Sequence, residues 1–161
     1  MLSRIYLETS ILSFLTARPS SDVMATAHRA VTMSWWKSRR TFFDLVTSEL
    51  VLQEVRRGDP AAAARRIAAL EGIPLLPLDV DSTNLALAVV GANLLPRKAF
   101  PDALHIAIAA VHGVEYLLTW NCSHIANAEL LPRVTNLVED YGYRMPFVCT
   151  PEELMGETYA Q

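Results

Sequence analysis

Three carboxylates, Glu8, Glu54 and Asp102, occupy positions in this sequence from which they could act on one ligand. Glu8 follows a short apolar run, and Asp102 falls in the first turn of a helix predicted after Pro101. Carboxylates crowded at one place repel one another, and a divalent cation removes that penalty. Mg²⁺ and Mn²⁺ prefer oxygen ligands and are typically held by one or two carboxylates plus substrate phosphate. The pattern therefore indicates a metal site with Glu8 and Asp102 as ligands.

Polar residues beside these acids could complete such a site. Asn121 comes just after an apolar run ending at Thr119, and its amide could ligate an ion or hydrogen-bond to its water. Thr9 or Ser10 could hydrogen-bond a ligating water, and Thr119 could orient Asp102 or Asn121 without itself binding the ion. A metal ion held this way would polarise a phosphate and lower the pKa of a bound water.

Each of these residues also has a purely structural interpretation. Asp102 could favour the positive end of its helix dipole, and Glu54 could pair with Arg57 at helical spacing. Glu8 could cap the following helix, and Asn121 could be a turn residue. Packing is the expected role of the histidines and tryptophans nearby, with contact to phosphate or bases as the alternative, at His105, His124, Trp35, Trp36 and Trp120.

The elements that must position the acids alternate along the chain. Apolar runs predict strands at 4–7, 42–46, 75–78, 115–119 and 147–149. Helices are predicted at 11–17, 25–39, 50–57, 61–70, 82–90 and 101–112, and 122–141 reads as one or two helices interrupted at Pro132. Alternating strands and helices predict an α/β fold, a three-layer α/β/α sandwich with a central, mostly parallel sheet. Ligands bind such sheets beyond the carboxyl ends of the strands, where Glu8 and Asn121 fall.

Composition narrows the class of protein. A chain of 161 residues with 52% apolar and 19% charged residues is expected to form one globular domain over 1–161. The two cysteines are too few for a disulfide framework, and no secretory signal or membrane span is evident, so a cytoplasmic protein is expected. The net charge of −3 is unusual for a nucleic-acid ligand, but basic residues cluster at 37–40, 56–57, 65–66 and 97–98.

Four short sequence motifs resemble those of the PIN-domain family, and they occur along the chain in the same order and context as in that family. They are Ile5-Tyr6-Leu7-Glu8-Thr9-Ser10-Ile11-Leu12, Ser48-Glu49-Leu50-Val51-Leu52-Gln53-Glu54-Val55, Pro101-Asp102-Ala103-Leu104-His105-Ile106-Ala107 and Tyr116-Leu117-Leu118-Thr119-Trp120-Asn121. With His124-Ile125-Ala126-Asn127 after them, the motif-bearing part, about 5–125, is similar to the VapC-type toxins of bacterial toxin–antitoxin pairs. The chain departs from the family at Glu8, where the usual first acid is Asp, and at Asn121, which replaces the usual fourth acid.

The resemblance implies a PIN-like fold and a metal-dependent ribonuclease that uses Mg²⁺, with Mn²⁺ as a substitute. It assigns the first, second and third acids to Glu8, Glu54 and Asp102. It also implies RNA as substrate, a small antitoxin protein as partner, and a homodimer. Two alternatives remain from the sequence: a PIN-like module that binds RNA or protein without efficient catalysis, and a stand-alone nuclease without an antitoxin.

Overall fold

A central parallel sheet organises the molecule. The computed structural model describes residues 1–156, and its strands are β1 (Ser3–Leu7), β2 (Phe43–Ser48), β3 (Leu75–Leu76), β4 (Tyr116–Leu118) and β5 (Phe147–Cys149). They are hydrogen-bonded in the order β3-β2-β1-β4-β5, and every pairing is parallel. Because all five carboxyl ends point the same way, the residues that follow the strands share one edge of the sheet.

Helices connect these strands. Within residues 1–156 they are α1 (Thr9–Thr16), α2 (Val23–Ser38), α3 (Glu49–Val55), α4 (Pro60–Ala69), α5 (Val80–Gly91), α6 (Phe100–Val111) and α7 (Leu131–Asp140). Short 3₁₀ helices lie at Arg40–Phe42, Arg97–Ala99 and Glu152–Leu154. The predicted three-layer α/β/α architecture is confirmed, and the sheet is wholly rather than mostly parallel. The division of 1–161 as one domain stays a prediction, and its last five residues lie outside the described part.

The sheet forms the centre of the core. Ile5, Tyr6 and Leu7 of the central strand β1 are all fully buried, so both faces of the strand are covered, as a parallel sheet between helix layers requires. Trp35 of α2, also fully buried, belongs to the same core cluster, which confirms its predicted packing role. None of the described helices is long and apolar enough to cross a membrane.

Helix starts follow the capping chemistry of the sequence. The side chains of Asp22, Ser48, Asp59 and Asp79 each accept a hydrogen bond from a backbone N–H in the first turn of the helix that follows. The strand predicted at 75–78 is shorter than expected, Leu75–Leu76, and within residues 1–156 it lies at the edge of the sheet, paired with β2.

The prediction for 122–141 is wrong in its first half. Only Leu131–Asp140 is an α-helix there, and Pro132 lies in its first turn, where proline is tolerated, instead of interrupting it. Upstream, Asn121 Oδ1 accepts from the His124 backbone N–H at 3.0 Å, and Asn127 Oδ1 accepts from that of Glu129 at 3.0 Å. Such side-chain bonds to the local backbone compete with helix formation, so the segment forms turns.

Candidate functional site

Glu8 lies at the carboxyl end of the central strand. Because Leu7 of β1 is aligned with Leu118 of β4, the next residues, Glu8 and Thr119, are neighbours at the sheet edge, and the Thr119 hydroxyl donates to the Glu8 carboxylate. Glu8 is also the N-cap of α1 and accepts from the backbone N–H of Ser10 at 3.0 Å and its hydroxyl at 2.6 Å. The residue is only 5% exposed. Capping and a place in the site are therefore compatible.

Glu54, in the last turn of α3, reaches the same region. Its Oε1 accepts from the Thr9 hydroxyl at 2.7 Å and lies 2.6 Å from Nε2 of His105 on α6. Its side chain is 21% exposed, whereas that of His105 is 1% exposed. Glu54 is therefore fixed from two elements while part of its surface faces solvent.

A buried hydrogen-bonded chain continues from His105 into the core. His105 Nδ1 lies 2.7 Å from Tyr6 Oη, and Tyr6 Oη lies 2.7 Å from Ser48 Oγ. Ser48 Oγ also accepts from the backbone N–H of Val51 as the cap of α3. Every member of this hydrogen-bonded series has a partner in both states of the ring: a cationic ring donates to Tyr6, and a neutral ring accepts from it.

The charges of the site favour the ionic form of the Glu54–His105 pair. Burial alone lowers the pKa of His105, but the hydrogen bond to Glu54 and the nearby carboxylate charges outweigh burial, and the pKa lies above its ordinary value. Burial alone raises the pKa of Glu54, and the hydrogen bond and charge of His105, with smaller contributions from Thr9 and Arg57, lower it below its ordinary value. The neighbouring negative charge thus favours the imidazolium form of His105.

Three carboxylates act on that imidazolium. The charges of Glu8, Glu54 and Asp102 each raise the pKa of His105, and Glu54 is the acid that hydrogen-bonds to the ring. Burial and, to a lesser extent, the charges of Glu8 and Glu54 also raise the pKa of Tyr6 well above its ordinary range. The structure therefore gathers acids from the end of β1, from α3 and from α6.

Asp102 and Asn121 are connected through His124. Asp102 Oδ2 lies 2.9 Å from His124 Nδ1, and the side chains of Asp102 and His124 are 23% and 31% exposed. The backbone N–H of His124 donates to Asn121 Oδ1, so this amide has the predicted turn role. Thr119 Oγ1 accepts from the backbone N–H of Asn121 and donates to Glu8, so it contacts Glu8 rather than Asp102.

The donor set suits a hard divalent cation in its chemistry, since its members are carboxylate oxygens. Within residues 1–156, no group of three or more His, Cys, Asp or Glu side chains is arranged as a metal site. Two carboxylates with substrate phosphate and water are the usual holders of Mg²⁺. Among the described residues, Glu54 Oε2 and Asp102 Oδ1 accept no hydrogen bond, so each acid keeps an oxygen for a further ligand.

The sequence signalled some of these contacts and missed others. The predicted packed, hydrogen-bonded state of His105 is confirmed, and its position one helical turn from Asp102 was visible. Three contacts were missed: that of His105 with Glu54, that of His105 with Tyr6, and that of Tyr6 with Ser48. Each joins separate elements of the chain, so no local pattern shows it.

Trp120 has a structural role at the border of the site. Its indole Nε1 donates to Thr32 Oγ1 at 2.7 Å, and its ring stacks on His28 with centroids 4.0 Å apart. Its backbone N–H donates to Ser10 Oγ at 2.8 Å, which links α1 to the residues after β4.

Known structures share this arrangement of elements. VapC20 of Mycobacterium tuberculosis, a Sarcin-Ricin loop cleaving toxin, superposes with a TM-score of 0.56 at 19% identity, over 77% of this chain and 95% of its own. VapBC2 from Rickettsia felis, bound to a DNA fragment from its promoter, superposes with a TM-score of 0.57 at 12% identity, over 91% of this chain and 98% of its own. This chain has the PIN-like fold of the VapC toxins.

No protein-family profile matches the sequence, and no curated protein matches it. Glu8 and Asn121 follow strands at the carboxyl edge of the sheet. The hydrogen bond of Glu54 to Thr9 and the contact of Asp102 with His124 bring these two acids to the same edge.

Proposed function

We propose that this chain is a metal-dependent endoribonuclease, the toxin of a toxin–antitoxin pair, which hydrolyses RNA phosphodiester bonds. The observation that carries the proposal is the linkage of the acids at one edge of the sheet. Ser10 and Thr9, adjacent on α1, donate to Glu8 and Glu54, and Glu54 in turn pairs with His105, one helical turn from Asp102 on α6. Buried charge is costly unless it is paired, so such a cluster is expected where function requires it.

Glu8 and Asp102 are the residues that would hold Mg²⁺ or Mn²⁺. Glu8 is held rigidly by hydroxyl donors from Ser10 and Thr119, and Asp102 is held through His124. A bound ion supplies polarisation of the scissile phosphate and a bound water of lowered pKa. Bonds that orient metal ligands in this way contribute strongly to affinity.

Glu54 orients the attacking water. With Oε1 occupied by Thr9 and His105, Oε2 is the atom that accepts a hydrogen bond from that water. The lowered pKa of Glu54 keeps the carboxylate anionic at neutral pH and makes it a weak base, so orientation contributes more than proton removal. His105 positions Glu54 and stabilises its charge.

RNA, an antitoxin and a second copy of the chain are the proposed partners. The description of VapC20 as a Sarcin-Ricin loop cleaving toxin supports RNA as substrate. The VapBC2 structure supports a VapB-type protein as the partner that covers the acidic edge, and the family resemblance supports a homodimer in the cytoplasm. A small open reading frame directly upstream would separate the toxin from a stand-alone nuclease.

One observation favours a module that only binds. The Asn121 side chain accepts a backbone hydrogen bond within its turn and carries no charge, so the fourth acid of the family is absent here. The restoring substitution Asn121→Asp separates the two functions, because it adds a carboxylate at the site without enlarging the side chain.

The test is cleavage of labelled structured and unstructured RNAs by the purified chain without antitoxin, with Mg²⁺, with Mn²⁺ and with a chelator. We expect cleavage only with metal, a loss of at least about 100-fold in Glu8→Gln, Glu54→Gln and Asp102→Asn, and a milder loss in Asn121→Ala. If neither the wild type nor Asn121→Asp cuts any RNA, the binding module replaces the nuclease.

A further inference from the structure

A groove between α1 and α4 carries concentrated positive charge. It has a volume of about 350 Å³, and its lining includes Ser13, Thr16, Arg18, Asp59, Arg65 and Arg66. We propose that this groove binds a phosphate of the RNA strand beside the scissile bond, an inference that rests on the proposed nuclease function.

One face of α1 connects the groove to the acids. Thr9, Ser13 and Thr16 are spaced by four and three residues and therefore share a side of the helix. Thr9 donates to Glu54 at one end of this stripe, and Thr16 lines the groove at the other, about 10 Å along the helix axis. A strand lying along this face would meet the groove a short distance from the cleaved bond.

Two of the arginines are fixed before any ligand binds. Arg65 Nε donates to the carbonyl of Thr16 at 3.2 Å, and this bond leaves both terminal nitrogens of its guanidinium for a ligand. Arg66 donates to the carbonyl of Val55 at 3.1 and 2.9 Å and to that of Arg57 at 2.7 Å. These carbonyls lie at helix ends, where they lack helical partners and attract cations. Guanidinium groups held in this way lose little side-chain entropy on binding.

The charge of the groove suits a phosphodiester. Three arginines face one carboxylate, Asp59, and that carboxylate accepts from the backbone N–H of Ala62 at 2.9 Å as the cap of α4. Arg18 is exposed at the rim. Guanidinium forks match the spacing of phosphate oxygens and bind them in pairs. The face of α1 that leads to the groove also carries Thr9, which contacts Glu54. This continuity with the acids favours the substrate strand over an acidic peptide as the occupant of the groove.

The test measures affinity for RNA without cleavage. Fluorescence anisotropy, measured with a metal chelator present, would give the affinities for a labelled RNA dinucleotide and a labelled RNA octanucleotide. The full wild-type chain would be compared with Arg18→Ala and Arg65→Ala. Arg133→Ala, which removes an exposed charge on α7, is the matched control. We expect each groove variant to weaken octanucleotide binding about three- to tenfold and to reduce the salt slope by about one, while dinucleotide binding stays unchanged.

Several results would overturn the groove. Three results concern RNA: unchanged octanucleotide affinity in both groove variants, an equal loss of affinity in Arg133→Ala, or no RNA binding by the wild type. The fourth comes from the same titration with poly-glutamate, and it is a loss of poly-glutamate affinity in the groove variants while their RNA affinity is kept. Arg18 is exposed at the rim, so its variant decides the matter if Arg65→Ala unfolds. Arginine-dependent binding by a chain that cuts no RNA with metal would remove the nuclease and keep the groove.

Discussion

At the scale of single residues, the Glu54–His105 pair determines how the acids can coexist. His105 is buried, and its hydrogen bond to Glu54 together with the charges of the nearby carboxylates raises its pKa and favours the cationic form. The same ring is held by Tyr6 on its other nitrogen, so its orientation is fixed by the fold rather than by a ligand. In its cationic form this ring reduces the repulsion among the acids.

This pair gives stability a defined dependence on pH. The pKa of His105 is raised on folding, so its contribution is complete below about pH 6.5 and is lost as pH rises through the folded pKa. The pKa of Glu54 is lowered, so its contribution is complete above its ordinary value of 4.5 and is lost as pH falls through the folded pKa. The stabilisation is therefore greatest between these limits.

Urea unfolding of the wild type and of Glu54→Gln measures how much the Glu54–His105 pair contributes to the free energy of unfolding. We expect the variant to be less stable by about 1.5 to 3 kcal/mol near pH 5.5, because a hydrogen bond to a charged group is lost, and by less at pH 9. Asp140→Asn, an exposed acid at the end of α7, is the control. A difference that stays constant from pH 5 to pH 9 would contradict an ionic pair.

The two cysteines should differ in reactivity. Cys122 is exposed beside Asn121, whereas Cys149 is buried in β5, and burial together with the charge of Glu153 raises the pKa of its thiol to about 12. Since the thiolate is the reactive form, an aromatic disulfide reagent at pH 8 should titrate one thiol in the folded chain and two in urea. Rapid reaction of both thiols in the folded protein would show that β5 is open.

The sequence was enough to find the acids but not their contacts. Glu8 and Asp102 could be identified because the first follows a predicted strand and the second starts a predicted helix, and Glu54 could be identified from the motif at 48–55. The Glu54–His105 bond depends on how α3 and α6 meet, and no local pattern encodes that distance. The predicted metal and the roles of the site residues stay predictions.

At the scale of elements, Ser48 joins helix capping to the site. Its hydroxyl caps α3, which carries Glu54, and also contacts Tyr6, which holds His105. Asp22 caps α2 by the same kind of bond but lies exposed and outside this chain of contacts. Both caps make the same kind of bond to the helix backbone, and Ser48 in addition contacts Tyr6.

Replacing each cap separates these roles. Ser48→Ala and Asp22→Ala should each cost about 1 kcal/mol of unfolding free energy from the lost cap. Ser48→Ala should cost about 1 kcal/mol more, because Tyr6 loses a buried partner, and it alone should slow RNA cleavage. Chemical denaturation and initial cleavage rates measure both effects. Equal losses of stability and of rate in the two variants would sink the proposed link.

Elements were predicted well where their signals were local. The caps at Ser48 and Asp79 and the strand at Phe147–Cys149 could be identified directly from sequence. The segment after Asn121 was misassigned, because apolar residues there suggested a helix while two asparagine side chains bind the backbone in turns. Side-chain competition of this kind is visible only when the turn geometry is known.

At the scale of the whole molecule, a chain of net charge −3 must meet a polyanion. Local clusters rather than the total charge must then supply RNA affinity. Arg56 and Arg57 follow α3 and are exposed, and Arg57 is close enough to influence Glu54. Arg97 and Lys98 are exposed just before α6, which carries Asp102.

Salt dependence tests these clusters. RNA affinity should fall steeply as salt rises, and alanine at Arg56 and Arg57, or at Arg97 and Lys98, should reduce the logarithmic salt slope by about one to two. Alanine at Arg133 and Arg144, exposed on and after α7, is the matched control. If the salt slopes of RNA affinity were unchanged in both double variants, the two clusters would be ordinary solvated surface that does not contact RNA.

The proposed chemistry depends most on one divalent ion held by Glu8 and Asp102, and calorimetric titration of Mn²⁺ tests this directly. Asp81→Asn is the matched control, because Asp81 is also a first-turn acid, on α5. We predict one binding event in the wild type and in Asp81→Asn, and at least about tenfold weaker binding in Asp102→Asn and Glu8→Gln. The same weak, nonspecific response in the wild type and Asp102→Asn would contradict the metal site.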